Sequence, residues 1–182
     1  MPLFIAFILK NELVLALKNQ HRMPRIIALL VALILSTTIK AQETKNEAAE
    51  IKNVIETFFE GLHKGDSAIV KKTIDKDIKI QTTATNREGK KMLRTETKQQ
   101  LLKMIASKKP ENTYLEKLLS YDIKIDGNLA SVWTPYEFYV NGQFSHCGAN
   151  SFQLFNNNGN WEIIFLVDMR RRNSCKALKN NK

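Results

Sequence analysis

Residues 129–172 read LASVWTPYEFYVNGQFSHCGANSFQLFNNNGNWEIIFLVDMRRR. Three runs rich in β-branched and aromatic residues are separated by two turn signals. Asn141-Gly142 is the stronger signal, because a two-residue type I′ hairpin needs positive φ at both central positions, and Asn and Gly tolerate it best. Asn156-Asn157-Asn158-Gly159 is the second. The spacing predicts strands over Leu129–Val140, Gln143–Phe155 and Asn160–Arg170, in antiparallel succession.

Working towards the N-terminus, Leu115–Asp126 reads as one more strand, closed by the turn Asp126-Gly127-Asn128. Thr97–Ser107 carries Leu101, Leu102, Met104 and Ile105 at helical spacing, and Lys108-Lys109-Pro110 stops it. Asp77–Thr85 alternates as a strand, turns at Asn86–Gly89 and returns over Lys91–Thr95. Asp66 suits the N-cap of a short helix that contains Ala68, Ile69 and Ile74. Thr44–His63 is an amphipathic helix, with Ile51, Val54, Ile55, Phe58, Phe59 and Leu62 on one stripe. Helices early and strands late imply an α+β fold. Its sheet is expected to be curved and antiparallel, of about five to six strands, wrapped on the N-terminal helix around a cone-shaped pocket.

The chain of 182 residues has room for one domain with extensions. Met23-Pro24-Arg25, the ten apolar residues Ile26–Leu35 and the small or polar stretch ending at Ala41 have the order of a secretory signal peptide. Ten apolar residues are too few to span a bilayer, so no membrane span is expected in the mature chain. Cleavage near Ala41 sends the product to the periplasm or outside the cell, and residues 1–22 read as an upstream extension from a start codon set too early. The competing reading is an uncleaved N-terminal anchor. The domain then covers 42–175, followed by a basic tail over 176–182. The net charge of +10 falls to +6 without residues 1–41, which hold five basic residues and one acid. That excess sits largely in tails, and no nucleic-acid partner is expected. In an exported chain the two cysteines, Cys147 and Cys175, suggest a disulfide; two separate thiols are the alternative.

Val132–Val140, Gly142–Gly148, Trp161–Ile164 and Asp168–Arg171 resemble the nuclear transport factor 2 (NTF2)-like superfamily, the cone fold shared with polyketide cyclases and ketosteroid isomerases. The resemblance is closest to a secreted bacterial branch described as putative lumazine-binding, and it runs over roughly Glu47–Cys175. It implies a pocket at the open end of the cone and a small-molecule ligand. It implies no set of catalytic residues.

Regular pairing across Asn141-Gly142 sets Glu137 opposite His146 and Trp133 opposite Asn150. One face then carries Trp133, Glu137, Tyr139, Phe144, His146, Asn150, Phe152 and Leu154, joined by Trp161, Ile163, Phe165 and Val167. Pro135 is the expected site of a bulge that would transfer later residues to the other face. On this reading His146 is a candidate general base oriented by Glu137, against a polar pair on a wet rim. Asp168 and Arg170 share a face and suit an anionic or amide edge, against a surface ion pair. Trp133, Tyr139 and Asn150 are further ligand candidates, although a strand tryptophan such as Trp133 more often belongs to a core. The only histidines are His21, His63 and His146, and no metal site or cofactor is expected. Three functions remain open: a domain binding a planar heterocycle, an isomerase, cyclase or dehydratase using His146, and a module forming homodimers through a sheet face that bears Tyr136 and Phe138.

Overall fold

The computed structural model describes residues 46–172 and Cys175. The segments 1–22 and 23–41, the cleavage point and the tail 176–182 lie outside the described residues.

Helix α1 covers residues 46–64. Its stripe Ile51, Ile55, Phe58 and Phe59 is buried, at roughly 1.5–3 kcal/mol per side chain. Phe58 and Phe59 both meet Phe152 of the sheet edge-on, with ring centroids 6.2 and 6.1 Å away. Helix α2 (Ser67–Lys71) starts at Asp66, whose side chain accepts the N–H groups of Ala68 and Ile69. Helix α3 (Lys98–Ala106) opens with a capping box between Thr97 and Gln100. Ile74, expected on the second helix, instead opens the first strand.

The strands are β1 (Ile74–Thr85), β2 (Lys91–Glu96), β3 (Tyr114–Leu118), β4 (Asp122–Asp126), β5 (Leu129–Val140), β6 (Gln143–Asn157) and β7 (Asn160–Arg171). They form one curved sheet in the order β2-β1-β7-β6-β5-β3, with β4 also on β5. The α+β architecture is as the sequence implies, but the sheet is mixed: β1 runs parallel to β7. A parallel pair needs a long connection, and here it is everything from β2 to β6.

The expected strand Leu115–Asp126 is two strands, and Pro135 is the reason. The Pro135 carbonyl accepts from Leu119 N–H at 2.8 Å, so that side of Pro135 faces the β3–β4 segment. A strand residue turns its N–H and C=O to the same neighbour, and proline has no N–H to give. The ladder breaks there. β3 pairs with Tyr136–Val140 and β4 with Leu129–Trp133. On its other side Pro135 sits in regular register with Ala149, with no bulge.

The bulge lies ten residues further on. Asn141 and Gly142 do take φ of 52° and 74°, but Tyr139 pairs with Phe144 while Phe138 pairs with His146, leaving Ser145 as the extra residue. Glu137 therefore faces Cys147, not His146. A second irregularity leaves Ile164 unpaired, since Gln153 meets Phe165 and Leu154 meets Ile163. The expected faces are thus partly exchanged. Val132, Thr134 and Tyr136 line the concave side with Asn150, Phe152 and Leu154, and Leu166, Asp168 and Arg170 follow on β7. Trp133, Glu137, Tyr139, Phe165 and Val167 belong to the convex side. Trp161 and Ile163 stay in the core.

Cys147 is fully buried, and a disulfide joins it to Cys175 with Cα atoms 6.0 Å apart. Among the described residues, no helix is long and apolar enough to cross a membrane.

Candidate functional site

The concave face changes character along its strands. Ile51, Ile55, Val132, Phe152, Leu154 and Ile163 make one end dry. One ladder step beyond Val132, Phe152 and Leu166, the sheet presents a row of polar side chains in register: Thr82, Asp168, Asn150 and Thr134, from β1, β7, β6 and β5. All four are at most 8% exposed. Burial of polar groups is tolerated when partners are supplied, and most are. Thr82 donates its hydroxyl to Asp168 Oδ1 at 2.6 Å, Arg170 donates from Nε and Nη2 to the same carboxylate, and the Tyr136 hydroxyl donates to Oδ2 at 3.4 Å. Among the described residues the Thr134 hydroxyl has no partner.

Glu116 completes the cluster from β3. Asn150 Nδ2 donates to its Oε1 at 2.7 Å, and among the described residues no hydrogen bond is made to Oε2. As a whole the residue is half-buried at the sheet edge, but its carboxyl group is enclosed between α1 and the sheet. Burial drives that carboxyl up to about 7, with Asp168 adding to the rise and Asn150 and Arg170 opposing it. The Tyr136 phenol is held well above its ordinary value, by burial first and then by the Glu116 and Asp168 charges. Its ring lies over Gly148. A Cβ there would collide with the Met169 carbonyl and crowd the Tyr136 ring, so the close approach of ring to backbone requires glycine.

Two histidines flank the cluster. His63 Nε2 accepts the Glu116 N–H at 2.7 Å, which fixes its proton on Nδ1, and burial lowers its pKa. This bond satisfies backbone on the edge strand β3. His146 packs between the rings of Phe138 and Tyr136, at 4.9 and 5.8 Å. Burial, then the Arg170 charge, pushes it down to about 4.

The expected site residues therefore separate. Asn150, Asp168 and Arg170 meet around Glu116. His146 is on the concave side but pairs with neither Glu137 nor any carboxylate. Glu137 accepts from the Tyr139 hydroxyl at 2.9 Å on the convex side. Trp133 is there too, 50% exposed. Among the described residues no group of three His, Cys, Asp or Glu side chains is placed to hold a metal ion. Glu116, Tyr136, Thr82 and His63 were not legible as site residues. Glu116 sits in Tyr114-Leu115-Glu116-Lys117-Leu118, where Leu115 suggests the wrong inward set. Only the alternation Tyr114, Glu116, Leu118 pointed the other way.

Two hollows meet at Glu116 and Phe59. The inner one, about 60 Å³, lies between the polar row and the apolar side chains of Phe58, Ile80, Leu101 and Met104. The outer one is an open groove of about 440 Å³ between α1 and the β3–β4 segment, with Tyr121, Leu118 and His63 on its walls.

The model of the family described as Putative lumazine-binding matches residues 46–165, about two thirds of the chain. The chain belongs to this family. No curated protein sequence matches it. Solved structures share the fold at low identity. An NTF2-like protein with a cystatin-like fold from Novosphingobium aromaticivorans is 14% identical, with TM-score 0.58 over 80% of this chain and 96% of that one. An NTF2-like protein of unknown function from Shewanella baltica is 19% identical, with TM-score 0.51 over 70% and 96%. The family and the cone fold support a small-molecule-binding domain.

Proposed function

We propose that this chain is an exported small-molecule-binding domain. Its ligand is a planar heterocycle that sets a polar edge on Glu116, Asn150 and Asp168 and a ring face against α1 and α3. The observation that carries this reading is the buried polar row opposite Phe58, Phe59 and Leu101. Burying such groups costs stability that an apolar row would not, and a hollow with few convergent polar groups on an apolar wall is the form ligand sites take. Export is supported by the leader-like order before Ala41 and by the Cys147–Cys175 disulfide, a bond typical of oxidising compartments. A thermal-shift screen of pterins, flavin precursors, steroids and other planar metabolites tests the reading; at a hundred times Kd a ligand adds about 2.7 kcal/mol. No stabilisation by any of them overturns it.

The second reading is acid–base catalysis of the isomerase, cyclase or dehydratase kind, favoured by a carboxyl near 7 in a closed hollow. A general base works best near the operating pH. His146, at about 4, is a poor base, and Glu116 takes that role in this reading. Ligand turnover that survives Glu116→Gln but not His146→Gln would reverse the assignment.

A homodimer through the sheet is the third. Tyr136 is 1% exposed and faces inward, so it cannot serve as a patch there. The surface that suits self-association is the convex side around Trp133, Tyr139 and Phe144. Sedimentation showing only monomer at high concentration counts against it.

A further inference from the structure

The inner hollow is too small for the proposed ligand. Its 60 Å³ holds about two waters, whereas ligand pockets run to roughly 300–1,000 Å³. The groove has the volume, and its wall sets Glu56, Glu60 and Lys64 beside Phe59, Leu118 and Tyr121. The two linings share Phe59 and Glu116, so a Glu116 side chain that swings aside joins them.

We infer that groove and hollow form one site for an organic cation, a primary or secondary amine on a planar apolar frame, whose ammonium group takes the free Oε2 of Glu116. This rests on the binding reading above and specifies the ligand's charge. Five carboxylates line the combined space, Glu56, Glu60, Glu96, Glu116 and Asp168, against Lys64 and Arg170. That local excess of acid stands in a chain of net charge +10. Arg170 is paired with Asp168 and Lys64 with Glu60, so among the described residues each cation on the lining already has a carboxylate partner. The Glu116 carboxylate, by contrast, has a single neutral donor, Asn150, and its second oxygen is open to a cation. The groove also shows how a cation sits: Lys52 Nζ lies 5.3 Å above the Tyr121 ring, held by an exposed ion pair to Glu56. Exposed pairs of that kind are weak and are readily displaced.

The carboxyl is faced by Asp168 and Arg170 from β7, Tyr136 from β5, and His63, Glu60 and Lys64 from α1. Glu96 at the end of β2 lies on the inner lining. His63 titrates below its ordinary value. Between pH 6 and pH 8 Glu116 gains a charge, from about one tenth to about nine tenths ionised for a group near 7.

Benzylamine, benzyl alcohol and benzoate, of one shape and three charges, test this by calorimetric and NMR titration of the chain. Benzylamine is expected to bind about tenfold tighter than benzyl alcohol at pH 8, to tighten about tenfold from pH 6 to pH 8, and to shift resonances of Phe59 and Tyr121. Glu116→Gln is expected to abolish the pH step of benzylamine binding. Tyr121→Leu is expected to weaken benzylamine severalfold and keep the step. Equal affinity for amine and alcohol, preference for benzoate, a pH step that persists in Glu116→Gln, or no binding by any of the three overturns the inference. A neutral planar compound that still stabilises the chain then leaves the binding reading standing. Silence in both experiments removes both.

Discussion

The two ends of the concave face are built from the same strands and differ in what holds them. At the dry end, Phe152, Leu154 and Ile163 pack on the α1 stripe, and the register follows from hydrophobic alternation alone. One ladder step away, Asn150, Asp168 and Thr134 occupy equally buried positions. There the arrangement depends on directional bonds, on a bulge at Ser145 and on a disulfide. The dry end tolerates inexact geometry. The polar end has no tolerance, because a misplaced donor leaves a buried group unpaired.

Substitutions at the two ends should therefore fail differently. The largest loss is expected for Phe152→Ala, about 4 kcal/mol in urea unfolding, since it opens a void under two helix rings. A value below about 2 would mean that the dry end collapses to fill the void. Reduction of Cys147–Cys175 follows, at about 3 kcal/mol for a bond closing 28 residues. Its effect belongs at the polar end, and hydrogen exchange should show β6 residues near His146 opening before Phe152.

Glu116→Gln comes third and has a sign of its own. The folded carboxyl titrates near 7 against 4.5 in an unfolded chain, so the native state holds its proton more tightly. Its contribution is then present at low pH and is lost as pH rises from 4.5 through 7. The variant should be more stable than the parent by about 3 kcal/mol at pH 8 and nearly equal at pH 4.5. A parent whose midpoint rises over that interval contradicts the enclosed carboxyl. His146 acts in reverse: lowered to about 4, it destabilises the fold as pH falls below about 6.5, and His146→Gln should flatten that acid limb. The smallest effect is expected for Trp133→Ala, under about 1 kcal/mol in the monomer, because the side chain is half exposed on the convex side.

The dry end was legible and the polar end was not, for a physical reason. The α1 stripe, the capping of α3 by Thr97 and the Asn141-Gly142 turn are local signals that name their own structure. The Ser145 bulge has no such signature: Phe144-Ser145-His146 contains no glycine and no break in strand character. Its single extra residue exchanged Trp133 for Thr134 and Glu137 for Tyr136 on the concave face. Pro135 was a true signal with a different meaning, since its missing donor splits the neighbouring strand and leaves β6 undisturbed. Asp168 and Arg170 were visible as a pair on one face, but Glu116, their neighbour in space, lies in a strand whose own pattern misleads.

The parallel pairing of β1 with β7 also sets when this molecule can exist. Thr82 bonds Asp168 across 86 residues, so the polar row joins strands from the two ends of the sheet's sequence. A ribosome that has released β1 to β6 has made no partner for the far side of β1. Closing so long a loop is slow and comes late. Until the last strand emerges, the chain carries two unpaired strand edges and no site, so the capacity to bind arrives in a single step with the final residues of β7.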